Sequence, residues 1–310
     1  MVAASAGVRA MTSSSSPGIA LKSEGISYCA AARIPMVYAN ISRGGPGVGS
    51  IQPAQMDYFQ ATKASGNGGF QMMVFAPSTV QEAVDMTYAA FDYADRDRNP
   101  VLILADGVIG TMMEPVVLPG MKSEEEVAAL KASKQGWACV GHKLDYAHRA
   151  WIQPGHWLTS DMQKANEDAA ALYESWKKDV QVEEYRLGGA EGGAPAYRAP
   201  EHAEVVLTAY GISARICKSA VELLRAQGVK AGLIRPITVH PFPYAAYDHI
   251  DYSKVKAVLD VEMSIPAQFV DDVAVAVKDR CLIETCLCSG GNIMSRDKVL
   301  AAVKKIMEGK

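Results

Sequence analysis

The chain has 310 residues, 49% of them hydrophobic and 21% charged, with 31 basic against 34 acidic side chains. A single hydrophobic core usually stops growing at roughly 250–300 residues, so two domains are expected. The charge balance leaves no basic excess for nucleic acid, and the longest apolar runs, such as 101–105 and 205–207, fall far short of the ~20 residues a membrane-spanning helix requires.

Residues 1–7 have no charged region followed by a long apolar stretch, which makes them a poor secretory signal. Cys29, Cys139, Cys217, Cys281, Cys286 and Cys288 are scattered rather than packed into a framework. Reduced thiols and a cytoplasmic location are expected.

From residue 7 to 105 short apolar runs alternate with helical stretches, the pattern of an α/β domain around a mainly parallel sheet. Strands are predicted at 9–12, 35–41, 71–75 and 101–104, several without alternation and so buried on both faces. Ser78 with Gln81 forms a capping-box pattern, and Val80, Val84, Tyr88 and Phe91 follow at helical spacing. Asp95-Arg96-Asp97-Arg98, followed by Asn99-Pro100, reads as the solvated end of that helix. Ser123 ahead of Glu124, Glu125 and Glu126 opens a short surface helix within 121–130, since acidic side chains suit the unpaired amides of a first turn. A longer helix at 159–179, with Met162, Ala165, Ala169, Leu172 and Trp176 on one face, closes the first domain. Gly188-Gly189-Ala190-Glu191-Gly192-Gly193-Ala194-Pro195 then marks a boundary. The expected division is a first domain at 1–187, a linker at 188–202 and a smaller α/β domain at 203–310. In the second domain strands are predicted at 204–208, 231–234 and 255–261, and helices at about 213–227 and 266–278.

Two loops stand where open α/β sheets place their sites, just beyond strands. Ser42-Arg43-Gly44-Gly45-Pro46-Gly47-Val48-Gly49 lets the backbone approach a ligand, but its spacing is not that of a dinucleotide fingerprint and no Gly-Lys-Ser/Thr follows. Met11-Thr12-Ser13-Ser14-Ser15-Ser16-Pro17-Gly18 offers hydroxyls and amides, although such runs are often plain turns. Asp57 and Glu24 could orient these loops or act only as helix caps. Cys281, Cys286 and Cys288 lack the Cys-x-x-Cys-x-x-Cys spacing of a ferredoxin-type cluster, and the six histidines show no metal-ligand spacing, so no metal site is expected.

In this order the two loops make the chain resemble the α subunits of 2-oxoacid:ferredoxin oxidoreductases. The resemblance continues through Gln52-Pro53-Ala54-Gln55-Met56-Asp57-Tyr58-Phe59-Gln60-Ala61-Thr62-Lys63, Ala76-Pro77-Ser78-Thr79-Val80-Gln81-Glu82-Ala83 and Leu104-Ala105-Asp106-Gly107-Val108-Ile109-Gly110. In the second domain it takes in Tyr210-Gly211, Leu233-Ile234-Arg235-Pro236-Ile237-Thr238, Pro241-Phe242-Pro243 and Val261-Glu262-Met263-Ser264. Met113-Glu114-Pro115 is most similar to the branched-chain, 2-oxoisovalerate members.

The resemblance implies an α/β fold with a pyrimidine-type thiamine diphosphate domain, followed by a domain like the C-terminal one of transketolase. It implies CoA-dependent oxidative decarboxylation of a branched-chain 2-oxoacid to acyl-CoA and CO2, with reduction of ferredoxin. A 2-oxoglutarate or pyruvate oxidoreductase α subunit is the alternative, and a non-catalytic docking subunit is an alternative of another class. Arg43 matches the arginine that meets the substrate carboxylate. Ser14, Ser15, Ser16, Pro17 and Gly18, with Gly44, Gly45, Pro46 and Gly47, would bind cofactor or substrate. Thiamine diphosphate would be shared with a β subunit that carries the diphosphate and magnesium site, because no Gly-Asp-Gly with a downstream Asn is present here. Iron–sulfur clusters would lie in a δ subunit, with a γ subunit completing the assembly. Family members begin with further residues that include a Tyr-Pro-Ile-Thr-Pro-like segment and a glutamate that protonates the aminopyrimidine. Neither occurs here, so an N-terminally truncated chain is expected, with a bare sheet edge and low solubility on its own.

Overall fold

The computed structural model describes residues 1–141, 150–156, 158–188 and 202–309. The predicted linker, apart from its two end residues, lies outside the described residues, as do His142 and His148.

The first half runs α1 (Val2–Ser5), β1 (Met11–Ser14), α2 (Ser16–Ala20), α3 (Ser23–Ala31), β2 (Val37–Ser42), α4 (Tyr58–Thr62), β3 (Met73–Phe75), α5 (Val80–Asp97), β4 (Val101–Asp106), α6 (Gly107–Thr111), α7 (Glu124–Lys134) and α8 (Thr159–Ser175). β5 (Val182–Tyr185) ends this half, and the second comprises β6 (Val205–Thr208), α9 (Gly211–Ala226), β7 (Ala231–Pro236), β8 (Thr238–His240), β9 (Ala257–Glu262), α10 (Val270–Val277), β10 (Leu282–Leu287) and α11 (Arg296–Glu308). No helix among the described residues is long and apolar enough to cross a membrane.

Two five-stranded sheets result, in the orders β1-β2-β4-β3-β8 and β10-β9-β6-β7-β5. In each, four strands run parallel and the last is antiparallel. The antiparallel strands are exchanged. β5 falls within the stretch assigned to the first domain, yet it pairs with β7 of the second sheet, while β8 follows β7 in sequence but pairs with β3 of the first. A break at 188–202 therefore does not separate the sheets. One apolar cluster runs through both halves, joining Tyr58 and Val74 to Tyr210, Phe242 and Phe269.

Helix α5 covers one face of the first sheet, where Ala90, Ala94 and Trp176 pack on Val37, Met73, Phe75 and Ile103. The β3 and β4 runs are buried throughout, as expected of strands covered on both faces. β1 begins two residues later than the apolar pattern suggests. It is the outer strand, paired only with β2, and its half-exposed side chains let Ser13 and Ser14 continue the ladder without an apolar partner. The cap of α5 also shifts by one: Thr79, not Ser78, accepts the Glu82 amide, while the Ser78 amide donates to the Glu82 carboxylate at 2.7 Å. The expected helix start at Ser123 forms, and it carries a reciprocal Ser123–Glu126 capping box that the acidic run alone did not specify.

The charged end of α5 is not simply solvated. Asp97 is buried, held by both donors of Arg96, and accepts the Trp176 indole N–H at 2.8 Å. Asp95 pairs with Arg9 and Lys134. The indole needs a buried acceptor, and the alternating charges supply it. On α8 the expected apolar face is only partly used: Met162 is exposed, Ala165, Ala169 and Leu172 are half-buried, and only Trp176, in the short turn beyond the helix, is fully covered.

Candidate functional site

The carboxyl ends of β1 and β2 deliver the two loops side by side, with Ser14 opposite Asn40 in the ladder. Ser15 is the N-cap residue of α2, and Ser16, Pro17 and Gly18 form its first turn. A Cβ on Gly18 would lie 2.0 Å from the Ser14 hydroxyl, so the turn closes on Ser14 only with glycine there.

Arg43 follows β2 directly. Its backbone N–H donates to Ser16 Oγ at 3.0 Å, and its Nε–H to Ser15 Oγ at 3.0 Å. Nη1 donates to the carbonyls of Val48 and of Ser50, the latter at 2.9 Å, so the guanidinium is wrapped by its own loop. Nη2 has no protein partner among the described residues. The loop closes through the Gly44 N–H on the Gln52 carbonyl and the Ser50 N–H on the Gly44 carbonyl. Gly49, at φ +53, makes this possible, since a Cβ there would stand 2.0 Å from the Gly44 oxygen. The structure thus brings Arg43, Ser15, Ser16 and Gly44 together, with Gly45 joined to Pro46 by a cis peptide bond. Pro46 and Gly47 stand exposed at the tip. Gly291 packs against Gln52 from the loop beyond β10, which walls the Arg43 loop from the second half.

Beneath the loops the polar groups are only partly satisfied. Asn40 and Ser42 are buried, and Asn40 Oδ1 and Ser42 Oγ have no partner among the described residues. Glu24 sits in the first turn of α3 as an acidic residue suited to that position. Asp57 is the N-cap residue of α4, but its side chain makes no capping bond and turns to Ser16 and Asn40 instead.

Sequence reasoning assigned no role to a second polar cluster where the two halves meet. Gln55, 1% exposed, donates from Nε2 to the Tyr210 carbonyl at 2.9 Å. Its Oε1 accepts from Ser213 Oγ at 2.6 Å and from the Met263 N–H at 3.0 Å. Its own N–H donates to the Met263 carbonyl at 2.8 Å, and the Tyr210 hydroxyl donates to its carbonyl at 3.1 Å. Beside it Asp106 accepts the Val108 and Ile109 amides that open α6 through Oδ1, and the Ile212 amide that opens α9 through Oδ2. One carboxylate therefore caps a helix in each half. Burial pushes its pKa up despite the three backbone donors. The only available hint was that Gln55, Asp106, Tyr210-Gly211 and Met263 all lie in the runs that carry the resemblance.

Glu114, of the Met113-Glu114-Pro115 run, accepts the Val80 amide at the start of α5 and Arg215 of α9 at 2.6 Å. Arg215 holds its carboxyl below the usual glutamate range. Arg235 is buried between Glu82 and Glu183. Both are clamps between the halves.

Cys217, Cys286 and Cys288 are buried, and burial raises their thiols, Cys286 to about 11, away from the thiolate form. Among the described residues no group of three or more His, Cys, Asp or Glu side chains is placed to hold a metal ion.

Residues 1–183 match the profile of the pyruvate flavodoxin/ferredoxin oxidoreductase thiamine diphosphate-binding family, and 203–299 that of pyruvate:ferredoxin oxidoreductase core domain II. The ketoisovalerate oxidoreductase subunit VorB of Methanothermobacter marburgensis is 38% identical over 98% of this chain and 80% of that subunit. The 2-oxoglutarate synthase subunit KorA of Archaeoglobus fulgidus is 32% identical over 87% of this chain and 72% of that one. A solved 2-oxoglutarate:ferredoxin oxidoreductase from Magnetococcus marinus, 20% identical, superposes with a TM-score of 0.72 over 98% of this chain and 54% of that chain, and shares the fold. With the family profile covering most of the first half and relatives above 30% identity spanning nearly the whole chain, this protein belongs to the 2-oxoacid:ferredoxin oxidoreductase family and is a subunit of such an enzyme.

Proposed function

We propose that this subunit forms one wall of an active site that oxidatively decarboxylates a branched-chain 2-oxoacid, 2-oxoisovalerate, to its acyl-CoA and CO2 with electrons passed to ferredoxin. The observation that carries the substrate choice is the higher identity to a ketoisovalerate subunit, 38%, than to a 2-oxoglutarate subunit, 32%. The β subunit supplies the diphosphate and magnesium site, the δ subunit the iron–sulfur clusters, and γ completes the assembly. A cytoplasmic setting is in keeping with six free thiols.

The residues on this chain suit a shared anionic cofactor and substrate. Arg43 Nη2 is a donor with no partner among the described residues, and the Ser42 hydroxyl at the end of β2, which can donate, likewise has none there. Thiamine diphosphate, when bound, supplies the nucleophilic carbon and the electron sink. Arg43 would hold the 2-oxoacid carboxylate through Nη2, with Ser15 and the Val48 and Ser50 carbonyls fixing the plane of the guanidinium. Ser14, Pro17, Gly18 and the Gly44-Gly45-Pro46-Gly47 turn would shape the surrounding surface.

The test is steady-state dye reduction by the complex assembled with its partner subunits, using 2-oxoisovalerate, 2-oxoglutarate and pyruvate. Arg43→Ala should lower kcat/KM by roughly 10- to 150-fold, the loss of one charge-assisted bond of about 1.5–3 kcal/mol. An unchanged value would remove Arg43 from the site. A higher kcat/KM for 2-oxoglutarate would overturn the substrate choice.

A further inference from the structure

We infer that Asp57 is a positioning residue for Arg43, acting through Ser16. The inference rests on the reading of Arg43 given above. A relay of hydrogen bonds runs beneath the two loops. The Arg43 backbone N–H donates to Ser16 Oγ at 3.0 Å, the Ser16 hydroxyl donates to Asp57 Oδ2, and Asn40 Nδ2 donates to the same carboxylate oxygen at 2.9 Å. Asp57 thereby joins the first turn of α2, the end of β2 and the start of α4 at one oxygen.

Two features separate this from an ordinary helix cap. An N-cap aspartate normally takes the amide of the second or third helical residue, and Asp57 takes none. Ser16 and Asn40, which it does bind, are 7% and 1% exposed, so water cannot readily replace the carboxylate as their partner.

The geometry also explains why a carboxylate is needed. The Ser16 oxygen must accept from Arg43, so its single proton has to point to an acceptor. The Arg43 carbonyl, at 3.2 Å, is the poorer of the two within reach, and an ionised carboxylate is the stronger acceptor. With Ser16 polarised in this way the Arg43 backbone is fixed, while Ser15, the adjacent residue, fixes the Arg43 side chain through Nε. Both anchors of Arg43 thus depend on the placement of one dipeptide, and Asp57 determines that placement.

The experiment compares Asp57→Ala, Asp57→Asn, Ser16→Ala and Ser16→Thr in the assembled enzyme. A positioning role predicts a KM for the 2-oxoacid raised about tenfold in Asp57→Ala and Ser16→Ala, with kcat changed less than about threefold, because carboxylate binding is shared by ground and transition states. Asp57→Asn, which keeps one acceptor, should fall between, and Ser16→Thr, which keeps the hydroxyl, should raise KM less than Ser16→Ala does. The double variant Arg43→Ala with Asp57→Ala should be no worse in KM than Arg43→Ala alone. An unchanged KM in Ser16→Ala, or additive effects in the double variant, would overturn the proposal, and Ser16→Ala keeps it testable where Asp57→Ala yields no folded complex. If Arg43→Ala itself leaves KM unchanged, the reading of Arg43 fails. If Arg43→Ala raises KM while Asp57→Ala and Ser16→Ala do not, only the positioning role fails.

Discussion

Two buried acidic sites lie at the inner ends of strands and differ in one respect. Around Asp106 and Gln55 the buried polar atoms that join the halves have partners, drawn from β4, α6, α9 and the chain after β9. At Asp260 and Glu262, on one face of β9, both Asp260 oxygens and Glu262 Oε2 face one another with no other side-chain or backbone donor among the described residues, while Glu262 Oε1 takes the Gln268 and Phe269 amides ahead of α10. Burial and mutual repulsion push the Asp260 carboxyl well up, and burial moves Glu262 to about 7. In the first cluster backbone donors from both halves oppose the upward shift that burial causes. The second has fewer donors, and burial together with the neighbouring carboxyl favours its protonated form.

The sharpest way to break the first cluster is Gly211→Ala. Gly211 sits at φ +57, and a Cβ there would stand 2.9 Å from Gln55 Nε2 and 3.0 Å from Asp106 Oδ2. Left-handed strain together with displaced hydrogen bonds should cost about 3–4 kcal/mol, read by denaturant unfolding. Gln55→Leu should cost less, about 2–3 kcal/mol, by leaving the Met263 amide and the Ser213 hydroxyl unpaired. A loss under ~0.5 kcal/mol in either would show that this cluster contributes little to holding the halves together.

The second cluster responds to pH. With Glu262 moved from 4.5 to about 7, the folded chain binds more protons than the unfolded one in that window, so these groups lower stability as pH rises from about 4.5 to 7. Asp260→Asn removes one acid and the repulsion it causes. Its stability profile should be flatter across the window, by on the order of 1–3 kcal/mol, and at pH 8 it should match or exceed the parent in melting temperature. Parallel profiles for the two proteins would show that the pair is not the source.

The sequence made the strand–loop positions of Arg43 and Ser15-Ser16 legible, because an apolar run followed by glycine or serine is a local signal. It also made the start of α7 legible, from Ser123 ahead of three glutamates. It hid β5 and β8, whose pairings depend on the other half of the chain, and β10, whose exposed edge carries no apolar alternation. α11, by contrast, does carry a local pattern: Ser295 caps it, and Val299 and Val303, four residues apart, form its buried face. Gln55 carries no local signal at all, since a buried glutamine is defined by the partners that surround it.

The exchanged strands have a consequence for how the molecule can come apart. Each half completes the other's sheet, so the two are clasped like interlocked hooks rather than tethered like beads. Separating them requires stripping β5 from β7 and β8 from β3, which exposes the polar edge of both sheets at once. Moving the Gly291 wall away from the Arg43 loop as a rigid body therefore means breaking both antiparallel pairings.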